Sequence, residues 1–303
     1  MKKNEIREVE ISGLAFGGKG VVRVDGLAVF VRDAIPRDRV RIQVTRVKKN
    51  YAEARVLEYL QLSPLRVSAP CPYHGTCGGC SWQSMNYAAQ VEYKRMHVEE
   101  CLQHIGGIPD VRVLPVCTPS PVLGYRNKVE FTCSPFPWIP YGSTANTAAG
   151  PAIGFHAPEV YFKVIDIEAC LLIPESGNRI YREIREYIRH SPFPVYNQRS
   201  HEGFWRFVML RHSLDRNEWM VNIVTSRSDP AQVQPLAGKI ARNHPEVSSI
   251  VNNITARKAG ISFGESATLL YGNWSIRDRI GDLEFDISAN SFFQTNTAGA
   301  HRL

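Results

Sequence analysis

The chain has 303 residues, 44% of them hydrophobic, and a formal net charge of +7; that length divides into two or three domains of about 100–200 residues, each able to bury a core. No apolar run reaches the roughly 18 residues that span a bilayer, and the opening MKKNEIREVE lacks the apolar stretch of a secretory signal, so the sequence predicts a cytoplasmic protein with no membrane partner. In a reducing compartment, seven cysteines, an odd number, point to ligands or core residues in preference to a disulfide framework.

The charge is unevenly spread. Residues 1–62 hold 13 Lys and Arg against 8 Asp and Glu, a net of +5, which leaves +2 for the other 241 residues. In this segment apolar runs (Val9–Ile11, Val21–Val24, Leu27–Val31, Val40–Val44, Ala54–Leu57) alternate with the turn sequences FGGKG, VDGL and IPRD. Asp25-Gly26 between two β-branched runs predicts a hairpin, because both central residues of a type I′ turn need positive φ. Five short strands make an OB-like barrel. In IPRDRVRIQVTRVKKN, the two-residue period turns Val40, Ile42 and Val44 inward and places Arg39 and Arg41 on one face, with Lys48 at the exit. That basic strand is either a solvated edge or a phosphate-contacting surface.

The prolines of LSPLRVSAP make an extended linker, and CPYHGTCGGC follows, with Cys71, Cys77 and Cys80 in a C-x5-C-x2-C spacing. The two glycines allow a tight turn with amide N–H groups directed at sulfur. Zinc more often uses two C-x2-C pairs or added histidines, whereas three thiolates and one distant cysteine suit an iron–sulfur cluster; unliganded core cysteines are the third reading. Spacing does not choose a fourth ligand among Cys101, Cys117, Cys133 and Cys170.

Residues 85–105 predict a helix with a stripe of Tyr87, Val91, Val98, Leu102 and Ile105, ended by Gly106-Gly107. YRNKVEF sets Arg126, Asn127 and Lys128 beside Tyr125, a solvated strand end or a phosphate or base contact. Residues 136–150, FPWIPYGSTANTAAG, read as a flexible insertion without chemistry. PESGNRIYREIREYIRH predicts a helix with Ile180, Ile184, Tyr187 and Ile188 inward and Arg182, Arg185 and Arg189 outward. FWRFVMLRHS and EWMVNIVTS form a hairpin across LDRN with Trp205 and Trp219 in its core, and EVSSIVNNIT adds a strand.

The order of GLAFGGKGVVRVDGLAVFV, CPYHGTCGGC, GYRNKVEF, IGFHAPEVYFKVIDIEACLLIP and SANSFFQTN resembles the RNA (uracil-5-)-methyltransferase family, in the branch with an N-terminal TRAM domain and a [4Fe-4S] cluster. The resemblance is collinear over nearly the whole chain. It implies an α+β multidomain protein: a TRAM OB-like barrel over 1–62, a central α/β iron–sulfur RNA-recognition domain over 63–287, and the start of a Rossmann-like methyltransferase domain over 288–303. The helix at 85–105 would pack on the catalytic domain. It also implies cluster ligands Cys71, Cys77, Cys80 and Cys170, the last standing where the family places its D-x-x-x-C cysteine, here Asp166 to Cys170. Such a cluster would staple distant segments.

By the same resemblance Gln294 contacts S-adenosylmethionine, and Arg39, Arg41, Lys48, Arg126, Asn127 and Lys128 contact RNA. The capping reading of that segment, with Asn296 or Thr297 accepting from free helix amides, is compatible. Further family features, a Gly-rich donor loop, a nucleophilic cysteine and a general base, have no match here: FGGKG is not G-x-G-x-x-G, and no cysteine follows Cys170. The expectation is an inactive RNA-recognition portion of a methyltransferase, with no catalytic residue of its own and a monomer when full length. Ribosomal RNA, 23S in particular, is the expected substrate, with transfer RNA or a stand-alone, non-catalytic iron–sulfur RNA-binding module as alternatives. Residues 291–303 are expected to be poorly ordered or held only by local contacts, with Phe292 or Phe293 exposed.

Overall fold

The computed structural model describes residues 1–118, 121–139, 150–158, 160–258, 260 and 262–303. The chain separates into two compact units, one of Met1–Gly75 with Cys80–Thr118, the other of Thr76–Gly79 with Pro119–Leu303. The division therefore does not fall at the expected 62/63 boundary: residues 63–75 and 80–118 group with the barrel.

In the first unit, β1 (Ile6–Glu10), β2 (Gly13–Leu14), β3 (Gly20–Val24), β4 (Leu27–Arg32), β5 (Arg39–Val47) and β6 (Tyr51–Gln61) form one sheet in the order β1-β5-β6-β4-β3-β2. The sixth strand is the two-residue β2, too short to show as an apolar run. Asp25 and Gly26 both have positive φ, 52° and 80°, as the β3–β4 hairpin requires. Along β5 the alternation holds, with Val40, Ile42 and Val44 buried beside Val29, Val31, Ala52 and Ala54.

The expected linker is instead tied down. Asp38, wholly buried, accepts from Ile35 N (2.7 Å) and Ser63 N (2.9 Å), and from Arg66 Nε (2.8 Å) and Nη2 (2.7 Å). Arg66 also stacks over Tyr59 at 4.7 Å. A second apolar cluster joins Leu14, Ile35 and Met85 with Leu65, Trp82, Ala89 and Tyr93.

Helix α1 (Tyr87–His104) is capped by Asn86, whose side chain accepts from Ala89 N at 2.9 Å. None of its residues is fully buried. The predicted stripe is not its packed face, since Tyr87, Val98 and Ile105 are exposed. Met85, Ala89, Tyr93 and His97, at four-residue spacing, meet the barrel instead. Tyr and His pass for surface residues in a pattern search, yet their rings pack, and His97 Nε2 meets Leu14 O at 2.7 Å.

The second unit is built on β7 (Lys128–Ser134), β8 (Ala152–Ala157), β9 (Val160–Asp166), β10 (Trp205–Ser213), β11 (Glu218–Thr225), β12 (Val247–Ile254) and β13 (Ser266–Gly272), in the order β13-β12-β11-β10-β7-β8-β9. Helix α2 (Glu175–Arg189) precedes β10, and α3 (Pro230–Asn243) links the parallel pair β11 and β12. The hairpin β14 (Ser275–Ile280) with β15 (Leu283–Ser288) and the short α4 (Thr297–Arg302) complete it. The predicted β10–β11 hairpin and β12 are present, and Trp205 and Trp219 are buried. An added Cβ at Gly177 would strike the Trp219 ring, which is why glycine stands in α2 at that turn.

Ile180, Ile184 and Ile188 of α2 point inward as expected, but Tyr181 fills the place given to Tyr187. Its ring stacks on Phe131 at 3.8 Å and its hydroxyl lies 2.5 and 3.0 Å from the carbonyls of Ile153 and Ile167. Arg185 and Arg189, expected outward, are drawn onto Asp166, which also accepts from Ile153 N. Of the expected insertion at 136–150, residues 140–149 lie outside the described residues; Trp138 N donates to Val164 O at 2.8 Å. Among the described residues no helix is long and apolar enough to cross a membrane.

Candidate functional site

Two features of the second unit converge on the segment Ala289–Thr297: the strand entry at 126–128 and a set of buried polar side chains beneath it. Asn127, only 6% exposed, donates through Nδ2 to Gln294 O (2.7 Å) and Thr297 Oγ1 (2.8 Å), and its N–H meets Thr295 O at 3.0 Å. Thr297 Oγ1 passes its own proton to Asp278 Oδ2 at 2.8 Å. Arg211, from β10, holds the carbonyls of Ala289 (3.3 Å) and Ser291. Asn253 and Asn290 exchange reciprocal bonds at 3.3 Å.

The backbone of this segment is thus fixed by long-range partners, contrary to the expectation of local contacts only. Buried polar groups seek partners, and here the extended chain supplies most of them, leaving Arg211 Nε without one among the described residues. Its side chains divide: Phe293 is buried, Phe292 is 87% exposed, and Gln294 is exposed while its carbonyl is held. Asn296 caps α4, accepting from Gly299 N at 2.9 Å.

Asn127 therefore spends its amide inside the chain and is a brace, where the sequence had suggested an RNA contact. Its neighbours differ. Arg126 is half-buried and donates Nε to Lys128 O at 2.8 Å. Lys128 lies opposite Arg211 in the β7–β10 register. Burial first, then the charge of Arg211, pulls its ammonium below the ordinary lysine value, with Glu130 opposing and Arg126 adding to the effect. Burial likewise brings Arg211 down to about 10. Buried cations pressed together would gain from an anion. Arg211, Asp278 and Asn253 were missed from sequence, and Thr297 was read only as a helix cap; an arginine and an asparagine inside apolar strand runs were the available signal.

On the barrel, Arg41 sits between Glu8 and Glu58 in register. Nη2 lies 2.8 Å from Glu8 Oε1, and Glu58 pairs with Nη1. Hydrogen bonding to Glu8, then the charge of Glu58, raises its pKa above the usual arginine value. Its charge is locally balanced by two carboxylates, unlike the other basic positions of this strand. Arg39 and Lys48 are exposed and form no ion pair among the described residues.

Cys71, Cys77, Cys80 and Cys170 are each partly buried, whereas Cys101 and Cys117 are exposed and Cys133 is buried in β7. Burial drives the Cys133 thiol far up. Gly79 N–H reaches Cys77 Sγ at 3.4 Å. Gly78 N donates to His156 O (2.9 Å), and an added Cβ there would lie 2.8 Å from that oxygen. Asn178 brackets Cys170, accepting its N–H at 2.8 Å and donating to its carbonyl at 3.1 Å. Part-exposed sulfurs with an amide donor match iron–sulfur donor chemistry. Among the described residues no group of three or more His, Cys, Asp or Glu could hold a metal ion. Thiols have no attraction of their own to gather them; metal–ligand bonds supply it.

Residues 2–57 match the TRAM domain family. Over its whole length the chain is 40% identical to an uncharacterized RNA methyltransferase of Chlorobaculum tepidum, of which it covers 64%. It is 35% identical, over 98% of its length, to an uncharacterized RNA methyltransferase of Halalkalibacterium halodurans, of which it covers 62%. The chain thus spans less than two thirds of these relatives. Among solved structures, the Pyrococcus abyssi tRNA (uracil-54, C5)-methyltransferase in complex with S-adenosyl-L-homocysteine resembles it with a TM-score of 0.69 and 27% identity, over 97% of this chain and 63% of that one. The chain is therefore similar to the TRAM domain family over residues 2–57 and to RNA methyltransferases over nearly its whole length.

Proposed function

We propose that this chain recognises structured RNA for S-adenosylmethionine-dependent methylation of a uridine at C5, with 23S ribosomal RNA as the substrate. The observation that carries the reading is the likeness, over 97% of the chain, to a tRNA (uracil-54, C5)-methyltransferase bound to S-adenosyl-L-homocysteine. That neighbour's named substrate favours a second reading, in which the RNA is a transfer RNA. Methylation at C5 requires the base to leave its stack, and a chain that grips the flanking nucleotides offsets the cost.

Arg39 and Lys48 on the barrel, and Arg126 and Lys128 on the second unit, take the phosphates in this reading. The depressed ammonium of Lys128 supports an anion there. Asn127 braces. Gln294 meets the methyl donor: a side-chain amide both donates and accepts, and this one is exposed on a pinned backbone. Cys71, Cys77, Cys80 and Cys170 hold a [4Fe-4S] cluster that joins distant segments; their shared partial burial supports the set. No residue of the chain is assigned a catalytic role.

The test is competition binding in 100 mM salt, with a fluorescent 23S fragment challenged by unlabelled 23S fragment or by transfer RNA transcript. Stronger competition by the 23S fragment is expected. Stronger competition by transfer RNA transfers the substrate assignment, and absence of binding to either RNA overturns the reading.

A further inference from the structure

The β2–β3 loop carries an aromatic side chain that the fold holds out in solvent. Phe16 is 91% exposed. The loop that presents it is closed by Ala15 N to Lys19 O (2.8 Å) and Gly18 N to Ala15 O (2.9 Å), with Gly17 and Gly18 at φ 94° and 95°. Neither position suits another residue, because L side chains avoid that region. Gly18 is doubly required: a Cβ there would run into the Trp82 indole.

Beneath the loop, His97 of α1 donates Nε2–H to Leu14 O at 2.7 Å. Its ring lies 6.3 Å from that of Phe16 and 5.8 Å from that of Trp82, tilted and edge-on respectively. Trp82 in turn packs on the Leu14, Ile35 and Met85 cluster. The loop is therefore fixed at both strand ends, against an indole and through a histidine hydrogen bond. A single exposed phenylalanine on a surface means little. One at the tip of a pinned turn, backed by two further rings and borne on residues 1–62 with their net charge of +5, is suited to a flat apolar partner that carries negative charge.

We propose that Phe16, backed by His97 and Trp82, is a stacking platform for one unpaired nucleobase of bound RNA, whose flanking phosphates lie on the basic barrel. Stacking on an aromatic tolerates any base, since every base has a π-face; the platform adds affinity and places the strand without reading its sequence. The inference rests on the RNA reading given above.

The test uses the full chain and a fluorescein-labelled, unstructured RNA 12-mer, alongside the same backbone carrying abasic sites. Phe16→Ala should weaken binding to the base-bearing RNA about tenfold, within the range that single-base stacking supplies. It should leave abasic RNA binding and the slope of log K against log salt unchanged, because no phosphate contact is removed. Phe16→Tyr should retain wild-type affinity, and 2-aminopurine within the RNA should be quenched by wild type but not by Phe16→Ala. If wild type binds RNA and Phe16→Ala binds it equally well, the platform is refuted and the RNA reading stands. If wild type binds no RNA, both fall. Concentration-dependent dimers of wild type that Phe16→Ala dissolves would assign the ring to a second copy and overturn the proposal.

Discussion

Asp38 offers the sharpest test of how the barrel is joined to residues 63–66. Asp38→Ala removes the acceptor for two backbone amides, Ile35 and Ser63, and the partner of the Arg66 guanidinium, whose side chain is 16% exposed. An unsatisfied buried amide costs about 1–3 kcal/mol, and stranding one member of a buried ion pair costs about 3–5 kcal/mol. The effects share one cavity and do not add. Arg66 also keeps its bond to Asp33 O at 2.8 Å and its place over Tyr59. The expected loss is about 4 kcal/mol, below the simple sum because the effects share one cavity. Asp38→Asn retains one carbonyl oxygen and should lose about 2 kcal/mol. Asp38→Leu with Arg66→Met should recover part of the loss, since no charge is then stranded.

The assay is urea unfolding followed by hydrogen exchange of β5 amides, which reports on the first unit alone. With a slope of about 2 kcal/mol/M, Asp38→Ala should lower the midpoint by about 2 M. A shift below about 0.5 M at unchanged slope, or a double variant no more stable than Asp38→Ala, would refute the account of Asp38 as the buried knot of this unit.

Asn127→Ala should release the segment at 289–297: two lost hydrogen bonds total about 2 kcal/mol, and exchange of those amides should quicken about 30-fold while the β10–β11 amides stay protected. RNA binding should separate the barrel cations, with Arg39→Gln and Lys48→Gln each lowering the salt slope by about 0.7 and Arg41→Gln, already neutralised by Glu8 and Glu58, leaving it unchanged; equal effects would dismiss the distinction. Anaerobically purified protein should be brown and lose its iron in Cys170→Ser but not in Cys101→Ser; zinc without iron would discard the cluster. His212 is buried, stacked on Trp219 at 4.5 Å, and its pKa is lowered, chiefly by burial. The unfolded chain then binds more protons than the native one below the free histidine value of about 6.5, so its stabilising contribution is lost as pH falls from there to the lower native value. His212→Phe should keep the stack and flatten that dependence in urea midpoints taken between pH 5.5 and 7.5.

Strands were legible where the two-residue period met a buried face, as in β5, or where turn chemistry marked the ends, as at Asp25-Gly26. Motif order offered candidate positions for RNA and donor contact. It did not offer their division of labour, because that depends on partners far along the chain: Asn127 is drawn inward by Gln294 and Thr297, 167 and 170 residues away. Arg41 reads as a free cation until the strands on either side supply Glu8 and Glu58. The packed face of α1 escaped the apolar stripe because Tyr93 and His97 pack rings that a pattern search counts as polar, and His97 engages its ring nitrogen at Leu14 O. Asp38, Asp278 and Arg211 were invisible for the opposite reason: a charged residue looks like surface until its partners are known.

The backbone leaves the first unit at Gly75, spends Thr76–Gly79 in the second, returns at Cys80 and departs again after Thr118. Neither unit is a continuous stretch of chain. A chain ending at 62 would keep Asp38, Leu14 and Ile35 while losing Arg66, Met85 and Trp82, the partners that complete the buried ion pair and the second apolar cluster of the first unit. The strands alone should accordingly unfold at lower urea than the first unit of the intact chain, with exchange of the β5 amides as the readout.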